Sequence, residues 1–203
     1  AGPVGSGKTT SCIMELFRRS LEQEKAPDGY RYTRFAVVRQ TLKQLKDTVL
    51  KDIMKELEGL CTYRVTDNLI LVEFGDIRSE WLLIPLEDPE DQRRLLSMQL
   101  TGAWMSECIE MQVKLVAALS GRCGRYPSGN KGYCTWRGVI ADTNMPSEGS
   151  DWHKFMTDPN NTEWEIFLQP GGLEEHAENL MWLNQTAESV KLPLDSPERA
   201  AIG

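Results

Sequence analysis

The sequence predicts an α/β protein, a mostly parallel sheet flanked by helices and carrying a β-hairpin insertion. Three observations lead there. A glycine-rich stretch, "AGPVGSGKTT", runs straight into an amphipathic helical pattern. Short apolar runs then alternate with helical segments, the arrangement that covers both faces of a parallel sheet. Finally, "NLILVEFGDIRSEWLLIPL" holds two strand-like runs on either side of a Gly75-Asp76 turn, the signature of a hairpin.

Each element has a local reason. Residues 9–24 read as a helix because Ile13, Leu16, Phe17 and Leu21 recur at three- and four-residue spacing. "APDG" at 26–29 stops it. "RFAVVR" (34–39) suits a buried parallel strand. Residues 41–58 are helical, with Leu42, Leu45, Val49, Ile53 and Leu57 in one stripe and Gly59 as the stop. After the hairpin, "DPEDQRRLLSMQ" is a short helix with acids in its first turn, where the helix dipole favours them. "GAWMSE" is a brief strand, "EMQVKLVAALS" a helix and "WRGVIADTN" a strand with a polar end. "DWHKFM" is a helical turn, and "EWEIFLQ" (163–169) is expected to be a last strand.

Composition excludes several classes. The net charge of −7 over 203 residues argues against coating nucleic acid by bulk electrostatics. The clearest local basic concentrations are "YRYTR" (30–34) and "GRCGRYPSGNKG" (121–132). No apolar run approaches membrane-spanning length, and the opening residues do not read as a signal peptide, so secretion is not expected. The five cysteines, Cys12, Cys61, Cys108, Cys123 and Cys134, form no C-x-x-C pair and are joined by only two histidines. Neither a zinc site nor a disulfide framework is expected, and a reducing compartment fits.

The chemistry begins at the first residues. Gly2, Gly7, Lys8 and Thr9 satisfy G-x-x-x-x-G-K-[ST], the P-loop or Walker A pattern. Glycines let the backbone approach phosphate oxygens, successive N–H groups make an anion nest, and the helix N-terminus adds its dipole. The expected nucleotide-binding set is Gly2, Pro3, Val4, Gly5, Ser6, Gly7, Lys8, Thr9 and Thr10. Lys8 would reach the β- and γ-phosphates of ATP, and the Thr9 hydroxyl would sit on Mg²⁺.

In parallel sheets, ligands bind beyond the carboxyl ends of the strands, which singles out three groups of residues. Ser106-Glu107 ends "GAWMSE". Glu107 is the expected catalytic base; Ser106 stands where an acid usually organises Mg²⁺ and would act through a metal-bound water. Asp142, Thr143 and Asn144 end "VIADTN", with Thr143 and Asn144 placed to sense the γ-phosphate. Their capping preference also suits a helix start. Arg39 follows "FAVV" and suits a phosphate, DNA, a neighbouring subunit or solvent.

Several segments together, "GPVGSGKTT", "FAVVRQTLKQLKDT", "EDQRRLLSMQLTGAWMSECIEM", "GRCGRYPS", "GVIADTNMPSEGSDWHKF" and "FLQPGGLEEHAENL", resemble the large terminase subunits of tailed bacteriophages. The resemblance runs from residue 2 to about residue 182. It implies a P-loop NTPase of the additional-strand, catalytic-glutamate type. The implied activity is ATP hydrolysis that drives double-stranded DNA into a procapsid. Implied partners are the portal protein, the small terminase subunit and further copies in a homo-oligomeric ring, in the host cytoplasm. Glu107 matches the catalytic glutamate, and Thr143 and Asn144 the coupling motif. The resemblance further implies a strand ahead of the loop and a nuclease domain beyond residue 203. Residues 1–168 would then be the ATPase core and 169–203 the start of a linker. The loop positions Pro3, Val4, Gly5 and Ser6 include no arginine, so a finger is expected from elsewhere. Arg93 or Arg94, acting from a neighbouring subunit, come first, and Arg122 and Arg125 second. Two other readings fit the motif: a helicase-type ATPase or nucleotide kinase, and a catalytically silent nucleotide-binding or assembly module.

Overall fold

The computed structural model describes residues 1–2, 6–86 and 89–168. Pro3, Val4 and Gly5 of the expected phosphate loop lie outside the described residues, as do Glu87, Asp88 and the linker expected over 169–203. The chain divides into two compact units, Thr9–Asp142 and Ala1–Lys8 with Thr143–Gly203.

The larger unit is built on a six-stranded sheet in the order β2-β3-β4-β1-β5-β6. The strands are β1 (Arg31–Arg39), β2 (Cys61–Arg64), β3 (Leu69–Phe74), β4 (Ile77–Pro85), β5 (Gly102–Met105) and β6 (Gly138–Ala141). β1 runs parallel to β4 and β5, and β5 parallel to β6. The expected hairpin is β3-β4, turning at Gly75-Asp76 and extended antiparallel by β2. β2 was not foreseen; its four residues alternate half-buried and exposed, too short a pattern to separate from loop.

Helices cover both faces. α1 (Lys8–Glu22) buries Cys12, Ile13, Leu16 and Ser20. It shares a core with Phe35, Val37, Trp81 and Trp104 of the sheet and with Leu45, Val49, Ile53 and Leu57. Leu21, expected in the stripe, is instead 43% exposed. Ser20 takes the buried position because polar partners wait there. Its hydroxyl meets Thr33 Oγ1 at 3.1 Å, and Thr33 donates to Ser79 Oγ at 2.7 Å. The same network lets β1 begin three residues earlier than its apolar run.

The helix expected over 41–58 is interrupted. Thr41 caps α2 (Leu42–Gln44) in a reciprocal box with Gln44, a π-helical stretch covers Leu45–Val49, and α3 (Leu50–Glu56) follows. The physical reason is spacing. Leu45, Val49, Ile53 and Leu57 recur every four residues, which overshoots 3.6 per turn; one wider turn absorbs the drift and keeps the stripe on the sheet. The opposite sheet face carries Ala36, Val38, Ala103 and Met105. Near it lie α4 (Pro89–Ser97), in contact with β4, and α5 (Lys114–Ser120), in contact with β5 and β6.

Trp136 illustrates a close approach. A Cβ on Gly102 would stand 2.4 Å from Trp136 Cζ3, and one on Gly138 would stand 2.6 Å from Cζ2. Only glycine at both strand starts lets the indole lie on the sheet, with Arg19 over its other side at 4.6 Å.

In the smaller unit, α6 (Asp151–Thr157) is capped by Ser150, which accepts from His153 N. Trp152, Phe155 and Trp164 form an edge-to-face series. The strand expected at 163–169 is absent over its described residues, 163–168. Trp164 turns towards Phe155, while Phe167 and Leu168 are 70% and 64% exposed, and no sheet ladder reaches them among the described residues.

Candidate functional site

In the smaller unit, residues from distant parts of the chain converge on one ammonium group. Gly7 takes a left-handed backbone, φ +75°, which only glycine adopts without strain, and so turns the chain into the start of α1. Lys8 Nζ then donates to Gly2 O at 2.8 Å, Ser6 Oγ at 3.4 Å and Asn144 Oδ1 at 3.1 Å. The backbone closes the same ring, since Gly2 N donates to Thr143 O at 3.2 Å. Thr143 is buried, and its hydroxyl has no hydrogen-bond partner among the described residues. An orphan buried hydroxyl costs about 1–3 kcal/mol and asks for an explanation. Gly2, Ser6, Lys8, Thr143 and Asn144, all singled out in the sequence, are thus brought together. A cation held by exchangeable oxygen acceptors such as these suits an anionic oxygen ligand.

The larger unit holds the other candidates. β5 ends at Met105; Ser106 is buried and its N–H donates to Val38 O at 2.9 Å. Glu107 follows with φ 49° and ψ 56°, the left-handed region. For a residue with a Cβ this costs about 1–2 kcal/mol. Among the described residues only Asn68 shares it outside glycine, and asparagine tolerates that region in turns. The strained turn is tied down on both sides. Glu110 N donates to Glu107 O at 3.0 Å, and Cys108 N donates to Asp142 O at 3.0 Å. Asp142 is itself buried, and Trp104 Nε1 donates to its Oδ1 at 2.5 Å.

Arg39 is neither a free phosphate ligand nor an idle surface group. Its side chain is 13% exposed, with Nη1 on Thr48 Oγ1 at 2.7 Å and Nε 3.5 Å from Glu110 Oε2. Glu110 also accepts from Gln44 Nε2 at 3.2 Å. Glu110 and Trp104 were missed in the sequence. Neither belongs to a motif, and only the fold brings Glu110 to Arg39 and Trp104 to Asp142.

The remaining candidates are placed as follows. Thr9 lies partly buried in the first turn of α1, and Thr10 Oγ1 donates to Glu56 Oε1 at 3.3 Å. Arg93 and Arg94 are exposed on α4. Arg122 Nη1 donates to Leu96 O at 2.7 Å while its buried Nε lacks a partner among the described residues, and Arg125 is exposed. Burial, reinforced by the charge of Asp142, pushes the Cys12 thiol well above its ordinary range. Burial also pushes Cys123 up to about 12. Thiols held protonated are poor nucleophiles, so Cys12 and Cys123 act as core.

Among the described residues no group of three or more histidines, cysteines or carboxylates could hold a metal ion. Thr9 and Ser106 each carry a hydroxyl, the kind of hard oxygen donor that Mg²⁺ takes alongside water and phosphate oxygens. Among the described residues no helix is long and apolar enough to cross a membrane.

No protein-family model and no curated protein matches the chain. Solved structures do. The large terminase of a thermophilic bacteriophage aligns at a TM-score of 0.59 and 16% identity, covering 80% of this chain and 35% of that one. A second crystal form of the same protein aligns at 0.53. The large terminase of bacteriophage HK97 aligns at 0.52 and 10% identity, over 79% of this chain and 32% of its own. The chain spans about a third of the length of these proteins. At this identity the likeness is one of fold: the six-stranded sheet and its helices match part of the large terminase fold.

Proposed function

We propose that the chain is the ATP-hydrolysing region of a viral DNA-packaging motor, a terminase large subunit. The observation that carries this is the Lys8–Asn144 contact at 3.1 Å. It joins the lysine of the phosphate-loop pattern to the residue expected to sense the γ-phosphate. The terminase fold supports it, since relatives in fold supply the architecture for this chemistry.

In the proposed reaction, the residues from Gly2 to Thr10 hold the triphosphate. Lys8 exchanges its neutral oxygen partners for phosphate oxygens, releasing Asn144. Thr9 would hold Mg²⁺, with Ser106 contributing through water; when bound, the metal neutralises phosphate charge. Glu107 takes the proton of the attacking water, a role worth roughly 10²–10⁴ in rate. Loss of the γ-phosphate returns Asn144 to Lys8, and the segment after β6 moves with it. Arg93 or Arg94 from a neighbouring copy supplies the finger, typically worth about 10³–10⁵. Double-stranded DNA, a portal, a small subunit and a ring of copies belong to the same proposal, as does action in the host cytoplasm. Residues 1–168 form the ATPase core on this reading, followed by a linker.

The test measures phosphate release from ATP with Mg²⁺ by this chain and its Glu107→Gln variant. The variant is expected to lose hydrolysis by about a hundredfold or more while binding ATP as before. A variant as fast as its parent removes Glu107 from the reaction. Formation of ADP and free phosphate, rather than a phosphorylated acceptor, separates the motor from a kinase.

A further inference from the structure

Between Met111 and Ala141 the chain carries Lys114, Arg122, Arg125, Lys131 and Arg137 and not one carboxylate. The whole chain has a net charge of −7, so this segment runs against the rest. In the fold it meets the other local basic concentration, Tyr30–Arg34. The Arg34 guanidinium lies over the Tyr126 ring at 4.1 Å. Lys131 Nζ lies over Tyr32 at 4.7 Å and donates to the Tyr126 hydroxyl at 3.4 Å. The stem of Arg137 lies on Gly124, whose φ of +78° and missing Cβ leave room for it beside Arg125.

The cations are also held in place. Trp136, next to Arg137, is seated on Gly102 and Gly138. Gln23 joins its amide to Tyr133 O at 2.7 Å and accepts from Thr135 N at 3.1 Å. Several carboxylates enter the neighbourhood. Glu80 pairs with Arg34 at 2.6 Å, Asp76 pairs with Arg31 at 3.1 Å, Asp28 accepts from the Tyr32 hydroxyl at 2.7 Å while feeling the charge of Lys131, and Glu24 approaches through its N–H on Thr135 Oγ1 at 2.9 Å. Arg125, Lys131 and Arg137 take no ion pair among the described residues. Tyr133, between them in sequence, is 81% exposed.

This surface lies at the amino ends of β1, β5 and β6. Glu107 lies beyond the carboxyl end of β5. Along β1, Arg34 and Arg39 are about 17 Å apart at strand rise. The basic surface is therefore separate from the Glu107 turn.

We infer that Arg125, Lys131 and Arg137, braced by Tyr126, Tyr32 and Trp136, form a binding surface for the phosphodiester backbone of double-stranded nucleic acid. Cations without carboxylate partners release counterions from phosphates. Rings that fix their positions reduce the ordering cost on binding. Tyr126 lies buried beneath its cations, so its face is not offered to an unstacked base; the surface suits backbone contact to a duplex. The inference shares its ligand with the motor reading, but Lys131 and Arg137 take no part in the proposed hydrolysis.

The test is fluorescence anisotropy of a labelled 30-base-pair duplex across a salt series. It compares the parent, the double variant Lys131→Gln/Arg137→Gln and a charge-matched control, Lys43→Gln/Lys51→Gln, with circular dichroism confirming the fold. The double variant is expected to bind about tenfold or more weakly, with a slope of log affinity against log salt shallower by about one per cation removed. The control stays near the parent. ATP hydrolysis without DNA is unchanged in both, so its loss would bear on the Glu107 reading and not on this one. Three results overturn the inference: no duplex binding by the parent, equal weakening in both variants, or tighter binding to polyglutamate than to duplex, which would assign the surface to an acidic protein partner.

Discussion

Lys8 donates to Asn144 across 3.1 Å, although 136 residues separate them in sequence. The contact links the start of α1 to the segment just after the last strand of the sheet. On the proposed reading it is the resting partner of a lysine that turns to phosphate when nucleotide arrives. Lys8→Ala is expected to abolish ATP binding measured by calorimetry. Asn144→Ala is expected to slow hydrolysis by about tenfold, the worth of one hydrogen bond of about 1.4 kcal/mol, with affinity little changed. Equal affinity losses in both variants would make Asn144 a binding residue and not a sensor.

Glu107 occupies a backbone conformation that favours glycine. Glu107→Gly is expected to stabilise the fold by about 1 kcal/mol, the strain relieved less the added chain entropy. The same change removes hydrolysis. Denaturant titration beside an ATPase assay checks both; a less stable glycine variant would show that the left-handed turn stores no strain.

Trp136 rests where any side chain on Gly102 or Gly138 would collide with it. Gly102→Ala is expected to cost about 1–3 kcal/mol through overpacking, because its Cβ would also stand 2.9 Å from Gly138 O. Thermal melting reads the loss. Adding Trp136→Leu to Gly138→Ala should recover part of it, since the clash there is with the indole alone.

Cys123 is buried, its Sγ lies 3.3 Å from Leu119 O, and burial pushes its thiol up to about 12 from an ordinary 9.0. The raised value means that above pH 9 the unfolded chain gives up this proton while the folded chain keeps it. Stability from this group is therefore full below pH 9 and falls as pH rises towards 12. Cys123→Ala should lose less stability than its parent between pH 9 and 11 in denaturant titrations. Parallel curves for the two proteins would show that the thiol titrates alike in both states.

Much of this protein could be read from local pattern. The phosphate-loop motif, the strand ends bearing Glu107 and Asn144, the hairpin at Gly75 and most helices follow from periodicity, turn residues and capping, which act within a few residues. Where local pattern failed, distant partners had decided. Ser20 displaced Leu21 from the core because Thr33 and Ser79 were waiting for its hydroxyl. The helix after β1 widened because its four-residue apolar spacing had to stay on the sheet. Residues 163–168 stayed out of any ladder because Trp164 found Phe155. The left-handed turn at Glu107, the Arg39–Glu110 clamp and the union of two basic segments around Tyr126 also came only with the fold. Short-range spacing sets which backbone a segment prefers, but which side chains meet depends on the sheet order, and that order is chosen by burial summed over the whole chain.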